Sequence, residues 1–99
     1  MTEPLRVPVE VLRRASQILL DHLEGIEGEV VLLDPDFFWA ISPEQVYDVF
    51  NEPSEFTVGQ LTECLKHLEE IVEDPSRSLS YGLVWLADVI RAAGAASVR

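Results

Sequence analysis

Proline residues divide this chain into short segments and so limit the length of any single helix or strand. Five of its six prolines stand where we expect an element to begin or end: Pro8, Pro35, Pro43, Pro53 and Pro75. Proline lacks a backbone N–H, so it suits the first turn of a helix and stops a helix that reaches it. A chain of 99 residues has room for one domain. We expect that domain at residues 8–94, with flexible tails at 1–7 and 95–99.

Three segments carry apolar residues at helical spacing. The first predicts a helix over residues 8–24, which Gly25 or Gly28 would end. The second predicts a helix over about residues 58–73, with one apolar and one charged face. The third, at residues 79–93, is apolar around most of its circumference. Such a helix lies buried among neighbours or forms half of a dimer interface.

Two shorter helix starts carry the pattern of a capping box, in which two side chains satisfy free backbone N–H groups. Ser42 and Gln45 flank Pro43 and predict a short helix that Pro53 limits. Thr57 and Gln60 have the same spacing and would begin the helix that continues to residue 73. The sequence therefore predicts one short helix in addition to the three main ones.

Residues 29–33 form a short apolar run rich in β-branched side chains, which predicts a buried strand. Residues 37–41 form a second apolar run. This run is either a partner strand across the turn at residues 34–36 or an extended core segment. The predicted fold is mainly α, with α+β as the alternative. It is a compact bundle of about three main helices and one short helix, with a possible two-stranded element near residues 29–41.

The distribution of charge is uneven, and the net charge is −11. Residues 15–65 contain no Lys or Arg but eleven of the eighteen acidic residues. This field would repel nucleic-acid phosphates and anionic membranes, so we expect direct binding to neither. It would attract a basic protein and speed the encounter. The alternative is that the acidity serves solubility alone.

The N-terminus lacks the apolar segment of an export signal, and no apolar run approaches membrane-spanning length. Cys64 is the single cysteine, so no disulfide can form within the chain. We therefore expect a cytoplasmic protein.

The sequence gives little support for catalysis. Cys64 and His67 lie three residues apart on one predicted helix face, which is at most half of a metal site. Cys64 borders an apolar stripe, where a small buried thiol is the usual outcome. Glycine-rich phosphate loops and serine-nucleophile motifs do not occur. We expect no enzymatic activity, no cofactor and no metal.

The aromatic residues at positions 37–39 are most simply core, and so are Tyr81 and Trp85. The alternative is that some of them form the apolar centre of a binding face inside a ring of carboxylates, as in many protein interfaces. The predicted partner-binding residues are the acidic ones of this region: Asp34, Asp36, Glu44, Asp48, Glu52 and Glu55.

Five short stretches carry a resemblance to known proteins: 36–39, 46–50, 52–53, 57–61 and 81–86. With them, residues 30–93 resemble small acidic bacterial proteins of uncharacterised function. The resemblance implies a bacterial cytoplasmic protein and brings no activity, cofactor or catalytic residue.

Three functions remain as hypotheses. The first is a non-enzymatic interaction module for a basic partner, such as an immunity protein, an antitoxin or a DNA mimic. The second is a structural homodimer joined through the last helix. The third is a small enzyme that holds a divalent metal between clustered carboxylates.

Overall fold

The computed structural model describes residues 3–77 and 81–98. Within this part of the chain lie three long helices, one short helix and a two-stranded antiparallel sheet. The prediction of a mainly α protein with a small β element is therefore confirmed. The chain divides into two compact units, of which the first ends at Leu32 and the second comprises Leu33–Val98. The single domain expected at residues 8–94 stays a prediction.

The first unit contains helix α1, Val9–Glu27. It begins directly after Pro8, whose carbonyl accepts a hydrogen bond from the Val11 N–H at 3.1 Å. The helix passes through Gly25 and ends at Gly28, three residues later than the periodicity predicts. Gly28 has a φ of 87°, a left-handed conformation that glycine adopts without steric cost. This conformation, and not glycine as such, ends the helix.

The second unit begins with the sheet, in which strand β1, Phe37–Ala40, pairs antiparallel with strand β2, Thr57–Gln60. The register places Phe38 opposite Gly59 and Trp39 opposite Val58. The residues predicted as the other strand, 29–33, are irregular. That prediction is wrong because β1 takes its partner from residues twenty positions further along the chain.

β2 replaces the helix start predicted at Thr57. Residues 57–60 are extended and bonded to β1, so the capping box of Thr57 and Gln60 does not form. Helix α3, Leu61–Glu73, begins directly after the strand. The prediction is wrong because a cap satisfies only free N–H groups of one turn, whereas strand pairing satisfies backbone groups along four residues.

Three further elements complete the second unit. The short helix α2, Pro43–Val46, lies between the two strands in sequence. A 3₁₀ turn at Pro75–Arg77 follows α3. Helix α4, Gly82–Ser97, packs against α3 and continues beyond the predicted end at Gly94. Its predicted first residues, 79 and 80, lie outside the described residues.

The packing of α3 against α4 forms the small core of the second unit. The buried side chains in the described part of the chain are Leu61 and Cys64 of α3 and Ala93 of α4. The His67 imidazole stacks on the Trp85 indole, with ring centroids 4.2 Å apart and planes inclined by 16°. The apolar periodicity of this helix predicts a solvent-exposed His67, whereas in the structure its ring packs on Trp85.

The aromatic residues of β1 divide between the two faces of the sheet. Side chains alternate along a strand, so Phe37 and Trp39 share one face and Phe38 points to the other. Phe37 and Trp39 are exposed and Phe38 is half-buried. The prediction that all three are core is therefore wrong for two of them, because a two-stranded sheet has one face left uncovered.

Candidate protein-interaction surface

Residues 41–56 join β1 to β2, and we call them the β1–β2 connection. The connection contains α2 and four of the six carboxylates predicted to bind a partner: Glu44, Asp48, Glu52 and Glu55. The other two, Asp34 and Asp36, precede β1 in the chain.

Gln45 holds the second half of the connection in place. Its side-chain Oε1 accepts hydrogen bonds from the backbone N–H groups of Ser54 at 2.9 Å and Glu55 at 3.2 Å. The capping box predicted for Ser42 and Gln45 is wrong, since Ser42 makes no side-chain cap. Gln45 instead ties two parts of the connection that lie nine and ten residues apart. Its side chain is therefore a brace within the loop.

Asp48 makes a second brace. Its Oδ1 accepts a hydrogen bond from the Phe50 N–H at 3.2 Å, and its Oδ2 accepts one from the Asn51 side-chain amide at 2.9 Å. This is the local turn that short acidic side chains stabilise by accepting bonds from the backbone two residues on. Asp48 is half-buried. Its carboxylate therefore serves the conformation of the loop.

Between these braces the connection exposes large apolar side chains. The exposed fraction is 84% for Tyr47, 83% for Val49 and 93% for Phe50. Trp39 of β1, also exposed, meets Phe56 edge to face with ring centroids 6.0 Å apart. The result is a braced backbone that presents apolar side chains to the outside, in the manner of the anchors at the centre of protein interfaces.

Four of the predicted carboxylates are exposed, and their side chains take part in no hydrogen bond or ion pair within residues 3–77 and 81–98: Asp34, Glu44, Glu52 and Glu55. A carboxylate without an internal partner keeps its full charge available to an outside cation. All four are therefore accessible to a partner, and their role in binding one stays a prediction.

Asp36 has a different role, because it caps helix α3 from a distant position in the chain. Its carboxylate accepts hydrogen bonds from the Gln60 side-chain amide and from the backbone N–H and hydroxyl of Thr62, each at 2.8 Å. Its carbonyl accepts the Leu61 N–H at 2.6 Å. The bond from Gln60, followed by those from Thr62, lowers the pKa of Asp36 below its ordinary value of 3.8. Asp36 thus joins β1 to α3, and both of its carboxylate oxygens accept hydrogen bonds within the chain.

A cleft of about 540 Å³ adjoins the connection. Its walls come from β1, from α2 and its C-terminal neighbours, and from one side of α4. The lining residues are Phe38, Trp39, Ala40, Ile41, Pro43, Val46, Tyr47, Leu83, Val84, Ala87, Asp88 and Arg91. Most of these side chains are apolar, so the cleft suits an apolar group of a partner.

The pair that resembles half of a metal site, Cys64 and His67, has other surroundings. Cys64 is buried and free of disulfides. Burial raises the pKa of the Cys64 thiol, and the negative charge of Asp88 raises it further. A thiol with a raised pKa is a weak nucleophile at neutral pH. No group of three or more acidic, histidine or cysteine side chains placed to hold a metal occurs within residues 3–77 and 81–98.

None of the described helices is long and apolar enough to span a membrane. Comparisons of the chain with models of protein families, with curated proteins and with solved structures find no match.

Proposed function

We propose that this protein is a non-enzymatic interaction module that binds a basic protein through its β1–β2 connection. One observation carries the proposal. The braces of Gln45 and Asp48 fix the backbone of the connection, while Tyr47, Val49 and Phe50 remain exposed. Apolar side chains on a fixed backbone lose less conformational entropy on binding than the same side chains on a mobile loop.

Charge determines the class of partner. The carboxylates of Glu44, Glu52 and Glu55 have no internal partner in the described part of the chain, and residues 15–65 supply no cation to neutralise them. A partner with a basic face would gain long-range attraction and a faster encounter. Its basic residues would meet the rim, and an apolar side chain would enter the cleft beside Tyr47.

Proteins that act on nucleic acids carry such basic faces, because they must bind phosphates. The sharpest form of the proposal is therefore an immunity protein, an antitoxin or a DNA mimic in a bacterial cytoplasm. Each would block the phosphate-binding face of its target. A reducing compartment suits a chain whose single cysteine, Cys64, is a free buried thiol.

The proposal is tested by affinity capture from bacterial lysate, with the bound proteins identified by mass spectrometry. The bait is the wild-type chain, first at about 50 mM salt and then at about 500 mM salt, where exposed charges more than a few ångströms apart are screened. We expect a stoichiometric basic partner at low salt that is lost at high salt. A partner retained equally at both concentrations would contradict an electrostatic interface.

Two triple variants with the same change in net charge locate the surface. The first is Glu44→Gln, Glu52→Gln and Glu55→Gln on the connection, and it should lose most of the captured partner. The matched control neutralises three exposed carboxylates of α3 by Glu63→Gln, Glu69→Gln and Glu73→Gln. It should capture the partner nearly as well as wild type. If both triples lose the partner equally, net charge and not this surface accounts for the binding.

A further inference from the structure

Strand β1 has one edge bonded to β2 and one free edge. The Leu61 N–H donates to the Asp36 carbonyl at 2.6 Å, which sets the phase of the bonds between the strands. Because these bonds alternate along an antiparallel pair, Phe38 directs its backbone N–H and C=O to β2, whereas Phe37 and Trp39 direct theirs away from it. The sheet has two strands, so these four outward groups have no hydrogen-bond partner among residues 3–77 and 81–98.

The cleft of about 540 Å³ runs along this free edge. Its lining includes four consecutive residues, 38–41, and none of Thr57–Gln60. Successive side chains of a strand point to opposite faces, so a cleft over one face would be lined by alternate residues of β1 and by their neighbours on β2. The observed lining therefore places the cleft beside the edge of β1. Leu83, Val84 and Ala87 of α4 contribute to the other walls.

A groove between a strand edge and a helix suits an extended peptide. Such a peptide can add to the sheet as a further strand, held by main-chain hydrogen bonds, while alternate side chains enter the groove. Exposed strand edges are commonly protected from pairing by Lys, Pro or a bulge. β1 has the sequence Phe-Phe-Trp-Ala and pairs with β2 in a continuous register, so it carries none of these protections.

We propose that the cleft along β1 binds an extended basic segment of a partner protein, which adds to the sheet as a third strand. This binding mode rests on the proposed function and specifies how the partner is held. Charge favours this occupant: Asp34 precedes β1, Glu44 follows it, and Asp88 lines the cleft, whereas Arg91 is the single cation of the lining. A second copy of this chain would bring its own net charge of −11 to the same edge, which disfavours pairing between copies.

The probe is a displayed library of random peptides of about seven residues, a common strand length, selected on the full wild-type chain. We expect selected peptides with net positive charge. One residue at a time is then N-methylated in the tightest peptide, which removes a backbone N–H and keeps the side chain. Only alternate N–H groups of an added strand face β1. N-methylation at alternate positions should therefore raise the dissociation constant roughly tenfold or more, and between them it should change little.

Two proline variants compare the two free edges of the same sheet. Phe37→Pro removes an outward N–H from β1 and should weaken peptide binding roughly tenfold or more. Val58→Pro makes the same change on β2 and is the matched control, which should bind like wild type. Neither change removes a bond between the strands, since both N–H groups point outward. Circular dichroism checks that each variant is folded, and the N-methyl scan uses the wild-type chain and so does not depend on either.

Four results would overturn this binding mode. They are a library that yields no basic peptide, a peptide whose N-methyl scan shows no alternation, equal weakening by Phe37→Pro and Val58→Pro in folded variants, and a wild-type dimer that Phe37→Pro dissociates.

Failure of the proposed function has a different signature. A basic partner captured from lysate that the selected peptide does not displace would retain the proposed function and contradict binding at the β1 edge. A peptide that passes both tests while lysate yields no basic partner would support the β1 edge as a peptide site and contradict the proposed function.

Discussion

Gly59 lies under the ring of Phe38, and Gly59→Ala tests that contact. An added Cβ would lie 2.6 Å from Cε2 and 2.8 Å from Cε1 of Phe38, and nearer still to Cζ. Carbon atoms without a bond between them prefer about 3.5–4.0 Å, so the ring must move by roughly 1 Å. The φ of Gly59 is not positive, so the backbone itself accepts alanine. The cost comes from overpacking, for which about 1–3 kcal/mol is typical.

Thermal melting followed by circular dichroism measures this cost. For a unit of this size, each kcal/mol lowers the melting temperature by about 4–8 °C. Gly94→Ala is the matched control within the same unit. Its added Cβ meets nothing within 4 Å, and it lies inside α4. Alanine is the better helix former, so this variant should gain about 0.5–1 kcal/mol.

A double-mutant cycle isolates the ring. In a Phe38→Ala background the clash is absent, so Gly59→Ala should cost less than about 0.5 kcal/mol or become stabilising. Two results would contradict a close contact between the Phe38 ring and Gly59. One is a Gly59→Ala protein as stable as wild type, and the other is an equal cost with and without the Phe38 ring.

Three further predictions concern the second unit. Asp36→Asn should lower the melting temperature at pH 7. Folding lowers the pKa of Asp36, so its carboxylate stabilises the fold above about pH 4, and this stabilisation is lost as the pH falls further. Melts from pH 7 to pH 3 should show this loss of stability in wild type and not in the variant. Trp85→Ala removes the half-buried partner of the His67 ring and should cost about 2–3 kcal/mol in urea unfolding, whereas an unchanged midpoint would place Trp85 outside the core. Cys64 should react with a thiol reagent at least about tenfold more slowly in the folded protein than in denaturant, because burial and Asp88 raise the pKa of its thiol; equal rates would contradict this.

The elements that depend on local sequence were predictable. The stripe of α1 repeats within a few residues, so its presence follows from the sequence, although its end at Gly28 depends on one backbone angle. The short helix after Ser42 follows from Pro43 at its first position. The apolar and charged faces of α3 follow from the same kind of periodicity.

The features that depend on distant residues were not predictable. β1 pairs with residues 57–60, and a four-residue strand carries no signal that identifies its partner. Asp36 caps α3 across 26 residues, so in the sequence it is one more acidic residue of the rim. Gln45 has the spacing of a capping box and braces Ser54 instead. The sequence alone does not distinguish a carboxylate that is hydrogen-bonded within the fold from one that is exposed and unpaired.

The exposure of the aromatic residues was open at the sequence level. Both a core position and a binding face are consistent with aromatic residues beside carboxylates. Side chains alternate between the two faces of the sheet, and Trp39 lies on the exposed face. The braces of the β1–β2 connection leave Tyr47 and Phe50 exposed. These exposed side chains favour a binding face over a core position. The β1–β2 connection is therefore the segment in which we expect changes when a complex forms.

Backbone amide exchange of the chain, free and bound to its captured partner, identifies the residues that the partner covers. The hydrogen bonds of the connection are exposed to solvent in the free chain, so its amides should exchange faster there than in the complex. We expect slower exchange in the complex across residues 43–56 and unchanged exchange along the outer face of Leu61–Glu73. Protection confined to other parts of the chain, with residues 43–56 exchanging as fast as before, would contradict binding through the connection.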